Sequence, residues 1–364
     1  MFCQLDSDAF LGAEGPILDV RAPAEYARGH LPGAICFALF DDAERAEVGT
    51  IYHRLGPSQA VLRALEIFGP KMAPMARQAG EIAGAGKVRV HCWRGGQRSG
   101  AVAWLLAQAG FEVSVLAGGY KAYRQAVLAE FARPRQLLLL GGLSGSGKTE
   151  VLQALAALGE QTLDLEGLAC HRGSAFGGLG MPQQPSSEQF ENALHAQLRT
   201  LNPDQWLWLE DENAHIGKVN LPLELRRQMQ QAPLIALDVP RPLRLARLVR
   251  TYAGFPQAEL ATCVEKLCKR LGRERTRACL AELAAGQPEA MIDQVLDYYD
   301  RGYRHGLSQR QPVRSLALSH ADPQQAAWQL QGLLATDSKK HSTQIPGLVP
   351  SCQAGAESDV KTHD

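Results

Sequence analysis

Residues 136–149 read Gln-Leu-Leu-Leu-Leu-Gly-Gly-Leu-Ser-Gly-Ser-Gly-Lys-Thr. The leucine run is typical of a strand that is buried on both faces of a parallel sheet. The Gly-x4-Gly-Lys-Thr segment at 142–149 follows at once, and an amphipathic helix is predicted from Glu150 to Leu158. A glycine-rich loop between a buried strand and a helix is the context in which backbone N–H groups bind phosphate. The segment therefore predicts an α/β domain with a phosphate-binding loop.

The polar side chains of this loop have separate roles. Lys148 supplies a point charge for phosphate oxygens, and Thr149 supplies a hydroxyl for Mg²⁺. The loop by itself indicates that a di- or triphosphate group binds, and it does not specify the rest of the ligand. The residues predicted to bind phosphate are Gly142, Ser144, Gly145, Ser146, Gly147, Lys148 and Thr149.

Acidic residues stand at the ends of two further predicted strands of the same domain. Carboxylates at such strand ends are the partners that a loop-bound Mg²⁺ needs. Solvated acids at capped strand ends would give the same pattern, so both interpretations remain open. The residues predicted as magnesium or substrate contacts on this basis are Glu210 and Asp211 after one strand, and Asp164 and Glu166 after the other.

A second candidate anion site is the glycine-rich turn that follows Cys92. Cys92 ends a predicted strand, and the turn opens a predicted helix from Ser99 to Gln108, so that backbone N–H groups point inward around the thiol. These groups, the positive helix end and two arginines favour the nucleophilic thiolate. A buried structural cysteine is the alternative, which the flanking glycines and arginines disfavour. Around the catalytic Cys92, the predicted anion-binding residues are Arg94, Gly95, Gly96, Arg98 and Ser99.

Alternating short strands and helices run along the chain, which predicts an α/β protein with parallel sheets in two domains. The predicted boundaries are 1–132 for the first domain, 133–336 for the second domain and 337–364 for a polar, disordered tail. Arg133-Pro134-Arg135 is the predicted linker. The predicted strands lie at 17–20, 88–91 and 113–116 in the first domain, and at 136–140, 162–165, 206–209, 234–237 and 315–318 in the second.

The composition excludes several classes of protein. Basic and acidic residues number 38 each, which gives no overall attraction to a polyanion. No apolar run is long enough to span a bilayer, and the first residues lack a signal-peptide pattern, so we expect a cytoplasmic protein without a membrane partner. The eight cysteines lack paired spacing. Cys263, Cys268 and Cys279 are expected to pack in a core rather than to hold a structural metal.

One stretch of the second domain is strongly basic, because residues 241–277 hold ten basic and three acidic side chains. Arginines at every third position from 241 to 250 are expected to form a stripe on a helix that binds nucleic-acid phosphates. A solvated helix face is the alternative interpretation. The residues predicted to contact the nucleic acid are Arg241, Arg244, Arg247, Arg250, Lys269, Arg270 and Arg273.

Three segments of the first domain resemble the rhodanese family of sulfurtransferases. They are Asp-Val-Arg-Ala-Pro-Ala-Glu-Tyr at 19–26 with Gly-His-Leu-Pro-Gly-Ala at 29–34, the loop at 91–99, and Leu-Ala-Gly-Gly-Tyr at 116–120. The His-Cys-x5-Arg-Ser pattern of the loop is also the signature of tyrosine phosphatases. Its arginine comes six residues after the cysteine, one more than in a common sulfurtransferase loop. The resemblance therefore implies a donor with a phosphate-sized head.

The pairing of these two domains resembles the tRNA 2-selenouridine synthase family. Matching segments at 44–50, 164–169, 171–177 and 298–300 extend the resemblance over about residues 15–310. The resemblance implies action on 2-thiouridine at the wobble position of tRNA. Sulfur would be replaced by selenium from selenophosphate, by way of an S-geranyl intermediate made from geranyl diphosphate.

The resemblance also divides the work between the two loops. We expect selenophosphate at the Cys92 loop, where the thiolate takes or orients selenium, and geranyl diphosphate at the phosphate loop with Mg²⁺. The implied partners are tRNA that carries wobble 2-thiouridine and an enzyme that supplies selenophosphate. Open α/β sheets bind ligands beyond their strand ends. The residues expected near the nucleoside or the prenyl group for this reason are His171, Arg172 and Ser174.

Two other activities remain open at this level. An ATP-dependent tRNA sulfurtransferase would use the same two loops and would consume ATP during transfer. A cysteine phosphatase fused to a kinase-like domain would hydrolyse a generic aryl phosphate. A binding module without activity is disfavoured because both reactive loops are intact.

Overall fold

The computed structural model of this chain describes residues 2–84, 86–308, 310, 313–320 and 322–340. Its framework is two five-stranded sheets, one in each half of the chain. Every strand pairing in both sheets is parallel, which confirms the predicted α/β class. Within these residues, no helix has the length and apolar character to cross a bilayer.

The first sheet is covered by helices on both faces. Its strands are β1 (Cys3–Leu5), β2 (Ile17–Asp19), β3 (Ala34–Cys36), β4 (Lys87–His91) and β5 (Glu112–Leu116). They are arranged in the order β1-β5-β4-β2-β3. The helices are α1 (Ser7–Gly12), α2 (Pro23–Arg28), α3 (Asp42–Leu55), α4 (Pro57–Phe68), α5 (Met72–Ala83), α6 (Gln97–Gln108) and α7 (Gly119–Ala132). Neighbouring strand residues point to opposite faces, so Leu18 packs in the core with α4, α5 and α6 while Ile17 packs in the core with α7.

The second sheet has the phosphate-loop strand at its centre. Its strands are β6 (Leu137–Gly142), β7 (Gln161–Leu163), β8 (Leu207–Glu210), β11 (Leu234–Asp238) and β12 (Val313–Ala317), and a separate hairpin contains β9 (His215–Ile216) and β10 (Val219–Asn220). The order β12-β11-β6-β8-β7 puts β6 between β11 and β8. The eight strands predicted from the sequence are all present, with ends that differ by at most two residues.

Helices of the second half cover the sheet and form a separate helical cluster. They are α8 (Lys148–Ala157), α9 (Leu165–Ala169), α10 (Ser187–Leu198), α11 (Leu223–Gln231), α12 (Arg241–Tyr252), α13 (Gln257–Lys266), α14 (Cys268–Leu271), α15 (Arg273–Ala284), α16 (Pro288–Ser308) and α17 (Pro323–Lys340). The cluster of α12 to α16 has its own apolar core, in which Cys263 and Cys279 are buried. The predicted tail begins too early, because α17 continues through residues 337–340. Residues 341–364 of that prediction lie outside the described residues.

One apolar core joins the two halves of the chain. It contains Tyr123, Val127 and Phe131 of α7 together with Leu194 and Leu198 of α10. The predicted linker is part of this packing, because the guanidinium of Arg135 donates to the carbonyl oxygen of Leu198 at 3.2 Å. A large apolar contact of this kind makes independent domain motion costly, so the two loops are held by a common scaffold.

A buried polar group sits at the edge of this core. The amide of Asn192 on α10 donates to the carbonyl oxygen of His30 at 2.9 Å and to the hydroxyl of Tyr120 at 2.8 Å. Its side-chain oxygen accepts from Arg124 at 2.6 Å. The Tyr120 hydroxyl donates in turn to Glu188 at 2.8 Å. Asn192 is completely buried. It belongs to the second half of the chain, and its three partners belong to the first half.

Asn192→Ala is expected to lower the free energy of unfolding by about 2 kcal/mol, because it leaves buried partners of the first half without hydrogen bonds. Chemical denaturation followed by circular dichroism measures this change. Gln197→Ala on the exposed side of the same helix is the control, with an expected change within roughly 0.5 kcal/mol. Equal effects of the two substitutions would contradict a bridging role for Asn192.

Candidate active site

The Cys92 loop lies between the end of β4 and the start of α6, against the first turn of α7. The backbone N–H of Tyr120 donates to the carbonyl oxygen of Cys92 at 2.8 Å. A Cβ atom at Gly119 would lie 2.4 Å from that same oxygen, so only glycine fits there. The Sγ of Cys92 is 3.2 Å from the hydroxyl of Ser99. The loop and the closing rhodanese-like segment thus form one tightly packed unit around the thiol.

The surroundings of Cys92 stabilise the thiolate. Burial raises the pKa of the Cys92 thiol. Hydrogen bonds from the Ser99 hydroxyl and from the backbone N–H groups of Ser99 and Arg94, together with the charge of Arg98, outweigh burial. The net result is a pKa below the ordinary value of a cysteine thiol. Inward-pointing N–H groups of this kind also bind oxyanions.

The two arginines of the loop are placed differently. Arg94 is exposed, whereas Arg98 is largely buried and donates to Glu25 at 2.6 Å. Glu25 also accepts from the backbone N–H of Ala22 at the start of α2. An incoming anion would therefore share the Arg98 guanidinium with Glu25.

The phosphate loop has the conformation that its glycines allow. Gly145 and Gly147 have φ angles of 78° and 85°, a region that favours glycine. The ammonium group of Lys148 donates to the carbonyl oxygen of Gly142 at 3.3 Å, and the hydroxyl of Thr149 donates to Glu210 at 2.7 Å. The Ser146 hydroxyl is buried without a hydrogen-bond partner among the described residues. These groups converge on one small space above β6.

Three carboxylates converge beside Lys148. Oxygen atoms of Glu166, Glu210 and Glu212 lie within 4.8 Å of one another. Glu166 and Glu210 were predicted from the sequence, and Glu212 was not. Asp211, which was also predicted, lies outside this cluster, and its carboxylate pairs with Arg310. Side chains alternate along an extended chain, so 210 and 212 share a side and 211 takes the other.

Asp164, the fourth predicted acid, lines the pocket and caps a helix. One of its oxygens accepts from the backbone N–H of Gly167 at 2.7 Å and caps α9. Asp164 and Glu166 line the same cavity as residues 144–149 of the phosphate loop. Asp164 is therefore a helix cap at the rim of the carboxylate cluster.

Burial and mutual repulsion disfavour the charged forms of the carboxylates in this cluster. Burial and then Glu210 and Glu212 raise the pKa of Glu166 to about 9. Burial and the neighbouring carboxylates raise the pKa of Glu212 to about 7, against the opposing effect of Lys148. One oxygen of Glu210 is buried without a hydrogen-bond partner in the described part of the chain. Oxygen donors crowded in this way fit a hard divalent cation such as Mg²⁺.

The phosphate loop opens into a cavity of about 420 Å³. Its polar lining includes Arg172 and Ser174, two of the three residues expected near the nucleoside or the prenyl group, whereas His171 is not part of the lining. His171 instead packs against Gly177 and Gly217. The apolar and aromatic part of the lining is contributed by the 176–181 loop, α12 and α16. Its residues are Phe176, Met181, Leu248, Tyr252, Ile292, Val295, Leu296 and Tyr299.

The predicted arginine stripe on α12 is wrong for two of its four members. Arg244 is 2% exposed and forms a two-point ion pair with Asp300 at 2.9 and 2.7 Å. Arg247 is also buried and lines the phosphate pocket. Each helical residue turns the chain by about 100°, so steps of three drift by about 60° and carry successive arginines around the helix. Arg241 pairs with Asp293 and Asp297, and Arg250 is the one exposed member of the four.

The basic residues after α12 have a different environment. They lie on α13, α14 and α15, and all are exposed. Among the described residues none of them forms a salt bridge, whereas most arginines elsewhere do. The members of this basic face are Lys266, Lys269, Arg270, Arg273, Arg275 and Arg277.

Fold and site together define a protein in which a rhodanese-like thiol loop is joined to a phosphate-loop domain. A rhodanese-like domain model matches residues 6–126, and the model of the tRNA 2-selenouridine synthase AAA domain matches residues 135–330. The chain therefore belongs to the tRNA 2-selenouridine synthase family, as the sequence resemblance predicted.

Known tRNA 2-selenouridine synthases are similar in sequence to this protein over most of its length. The tRNA 2-selenouridine synthase of Cupriavidus pinatubonensis is 36% identical over 327 residues, which cover 80% of this chain and 88% of that protein. The tRNA 2-selenouridine synthase of Salmonella paratyphi A is 35% identical over 341 residues, which cover 84% and 92%. Among solved structures, the N-terminal domain of a Clostridium difficile 630 protein named for ATP/GTP binding is 34% identical over 34% of this chain and 98% of that chain, with a TM-score of 0.32.

The lowered pKa of Cys92 has a direct spectroscopic consequence. The thiolate should form at a lower pH than the ordinary midpoint of about 8.5, because its hydrogen bonds stabilise the charged form. The difference in ultraviolet thiolate absorbance between the wild-type protein and Cys92→Ser, followed against pH, measures the midpoint. Ser99→Ala should raise it. Ser114→Ala, which removes a hydroxyl beside Cys3, is the control. A wild-type midpoint at or above the ordinary value would contradict the assignment.

Proposed function

We propose that this chain is a tRNA-modifying transferase that replaces the sulfur of wobble 2-thiouridine by selenium. Family membership supports this reaction, since the similar proteins are named tRNA 2-selenouridine synthases. We further propose that selenophosphate and geranyl diphosphate are its co-substrates. A separate enzyme would supply the selenophosphate, and the reaction would take place in the cytoplasm with the tRNA.

The mixed lining of the phosphate pocket is the observation that carries the geranyl assignment. The phosphate loop and a set of apolar and aromatic side chains line the same cavity. A diphosphate with a hydrocarbon tail matches this combination, because the tail buries apolar surface and the head meets N–H groups.

The first chemical step uses the groups around the phosphate loop. The sulfur of 2-thiouridine attacks the first carbon of geranyl diphosphate, the carbon–oxygen bond breaks, and its electron pair leaves with the diphosphate. The nucleoside loses its N3 proton to solvent. Lys148 and the loop N–H groups stabilise the charge that develops on the leaving group. Thr149, Glu210 and Glu166 would hold a Mg²⁺ ion, which supplies further positive charge there.

The second step uses the Cys92 loop. The N–H groups around Cys92 bind the phosphate head of selenophosphate, and the thiolate orients its selenium. The selenium of selenophosphate then adds to the carbon that bears the S-geranyl group, and geranylthiolate leaves. Water cleaves the selenium–phosphorus bond, so that phosphate is released and selenium stays on the base, while N3 regains its proton from solvent. Alkylation is needed because a thioether sulfur leaves more readily than the sulfur of a thiocarbonyl.

The basic face on α13 to α15 is our proposed tRNA contact. Its six cations are exposed and lack salt bridges within the described chain, so tRNA phosphates would not have to displace protein carboxylates. The face begins near the pocket. Burial lowers the pKa of His171, and Lys266 lies close enough for its charge to lower that pKa further. His171 directly precedes Arg172, which lines the pocket. Lys269, Arg270 and Arg273 thus remain candidates, while Arg244 and Arg247 do not.

Two substitutions are expected to separate the two steps. Cys92→Ser should reduce selenation to background and spare geranylation, because the thiol serves only the selenium donor. Lys148→Ala should slow geranylation on the order of one-hundred-fold, because a charge on the leaving group is lost. Mass spectrometry of 2-thiouridine tRNA incubated with geranyl diphosphate or with selenophosphate provides both readings. Full selenation by Cys92→Ser would refute the role of that residue.

Controls in the same assay distinguish the other activities. ATP consumption during transfer would favour the ATP-dependent sulfurtransferase, and rapid hydrolysis of an aryl phosphate would favour the cysteine phosphatase. We expect neither reaction to keep pace with tRNA modification.

Removal of three charges from the basic face is expected to weaken tRNA binding in a salt-dependent way. The triple substitution of Lys269, Arg270 and Arg273 by Ala should reduce the slope of log affinity against log salt by roughly two to three. Filter binding over a salt series measures the slope. The matched control replaces three exposed arginines at other places, Arg54, Arg77 and Arg133. Equal losses in both triple variants would contradict a specific face.

A further inference from the structure

Arg247 of α12 reaches into the phosphate site from a different element of the fold. Its guanidinium donates to the carbonyl oxygen of Gly145 at 2.9 Å. It also lies so close to Gly147 that a Cβ atom there would be 2.6 Å from the guanidinium carbon. Arg247 therefore lies against the loop backbone, in the lining of the phosphate pocket.

We infer that Arg247 is a ligand of the diphosphate and supplies positive charge to the leaving group, an inference that rests on the proposed function. The contacts of the two buried arginines of α12 support this distinction. Arg244 is committed to structure, because it is paired at two points with the buried Asp300 and donates to the carbonyl oxygens of Ser144 and Val239. It holds the loop in place and does not line the pocket.

Arg247 has a partner that an anion can replace at low cost. Its Nε lies 3.3 Å from a carboxylate oxygen of Glu150, and the Glu150 side chain is 43% exposed. An exposed carboxylate recovers hydration when its ion pair opens, so exchange of Glu150 for a diphosphate oxygen costs little. Arginine is also suited to two-point binding of phosphate oxygens.

The pocket lining contains as many acidic as basic side chains. Three cationic side chains (Lys148, Arg172 and Arg247) and three carboxylates (Glu150, Asp164 and Glu166) line it. Lys148 faces the carboxylates of Glu210, Glu212 and Glu166, which raise its pKa against the effect of burial. A diphosphate at the loop would therefore meet a lysine whose field is already offset by acids. Arg247 comes from α12, a different element of the fold, and adds a second positive charge where it contacts the loop at Gly145 and Gly147.

Binding of inorganic diphosphate in the presence of Mg²⁺, measured by isothermal titration calorimetry on the full chain, tests the inference. Arg247→Ala should weaken binding roughly ten- to one-hundred-fold, because a charge-assisted contact is lost. Arg247→Lys should lose less, because it keeps the charge. Arg250→Ala, one turn further along α12 and exposed, is the matched control and should bind as the wild-type protein does. Affinity of Arg247→Ala within twofold of wild type would overturn the inference.

A double-substitution cycle separates direct action from a disturbed loop. Glu150→Gln should tighten diphosphate binding by several-fold, because it removes a carboxylate that competes for Arg247, and this gain should disappear when Arg247 is Ala. An equal gain in both backgrounds would overturn the inference. Affinity of Arg247→Ala for tRNA should be unchanged, and a parallel loss of tRNA affinity would likewise count against it.

Lys148→Ala distinguishes failure of this inference from failure of the proposed function. If Lys148→Ala binds diphosphate as the wild-type protein does, the phosphate loop is not the diphosphate site and both fail. If Lys148→Ala loses binding and Arg247→Ala does not, only the role of Arg247 fails.

Discussion

The apolar contact between α7 and α10 is the constraint on which the rest of the structure depends. Helix α7 begins at the segment that packs under the Cys92 carbonyl, and α10 belongs to the phosphate-loop domain. Buried apolar surface on both helices joins the two sheets, and Asn192 adds directional hydrogen bonds across the same contact. A reactive thiol and a phosphate loop on one scaffold suit a substrate that has to visit both, because their separation does not have to be re-established in each cycle.

The two candidate anion sites use different groups to stabilise negative charge. At Cys92 the stabilising groups are backbone N–H donors and the Ser99 hydroxyl, which do not titrate near neutral pH. At the phosphate loop, three cationic and three acidic side chains line one cavity. Such a balance reduces repulsion among the groups of like charge, and it also means that each cation contributes to selectivity.

Helix α12 illustrates how a basic sequence acquires its function from packing. Arg241, Arg244 and Arg247 are all paired with carboxylates, on α16 or on α8. The helix therefore supports the phosphate loop and contributes positive charge to the site. The exposed cations of the basic face lie on the helices that follow it. Spacing alone did not reveal this, because a three-residue repeat does not match the helical period. Residue order also did not reveal that Glu212, and not Asp211, joins the carboxylate cluster. The alternation of side chains along an extended chain decides this.

The sequence by itself determined the two loops, the parallel sheets and the family. These features depend on local patterns: glycines that permit positive φ at Gly145 and Gly147, apolar runs of strand length, and a cysteine at the junction of strand and helix. Only the tertiary structure decided which carboxylates meet, which arginines are buried and which apolar side chains line the pocket. Those properties arise from contacts between residues far apart in the chain, such as Thr149 with Glu210 and Arg244 with Asp300. Local spacing carries no record of such pairings, because the packing of whole helices and strands determines them.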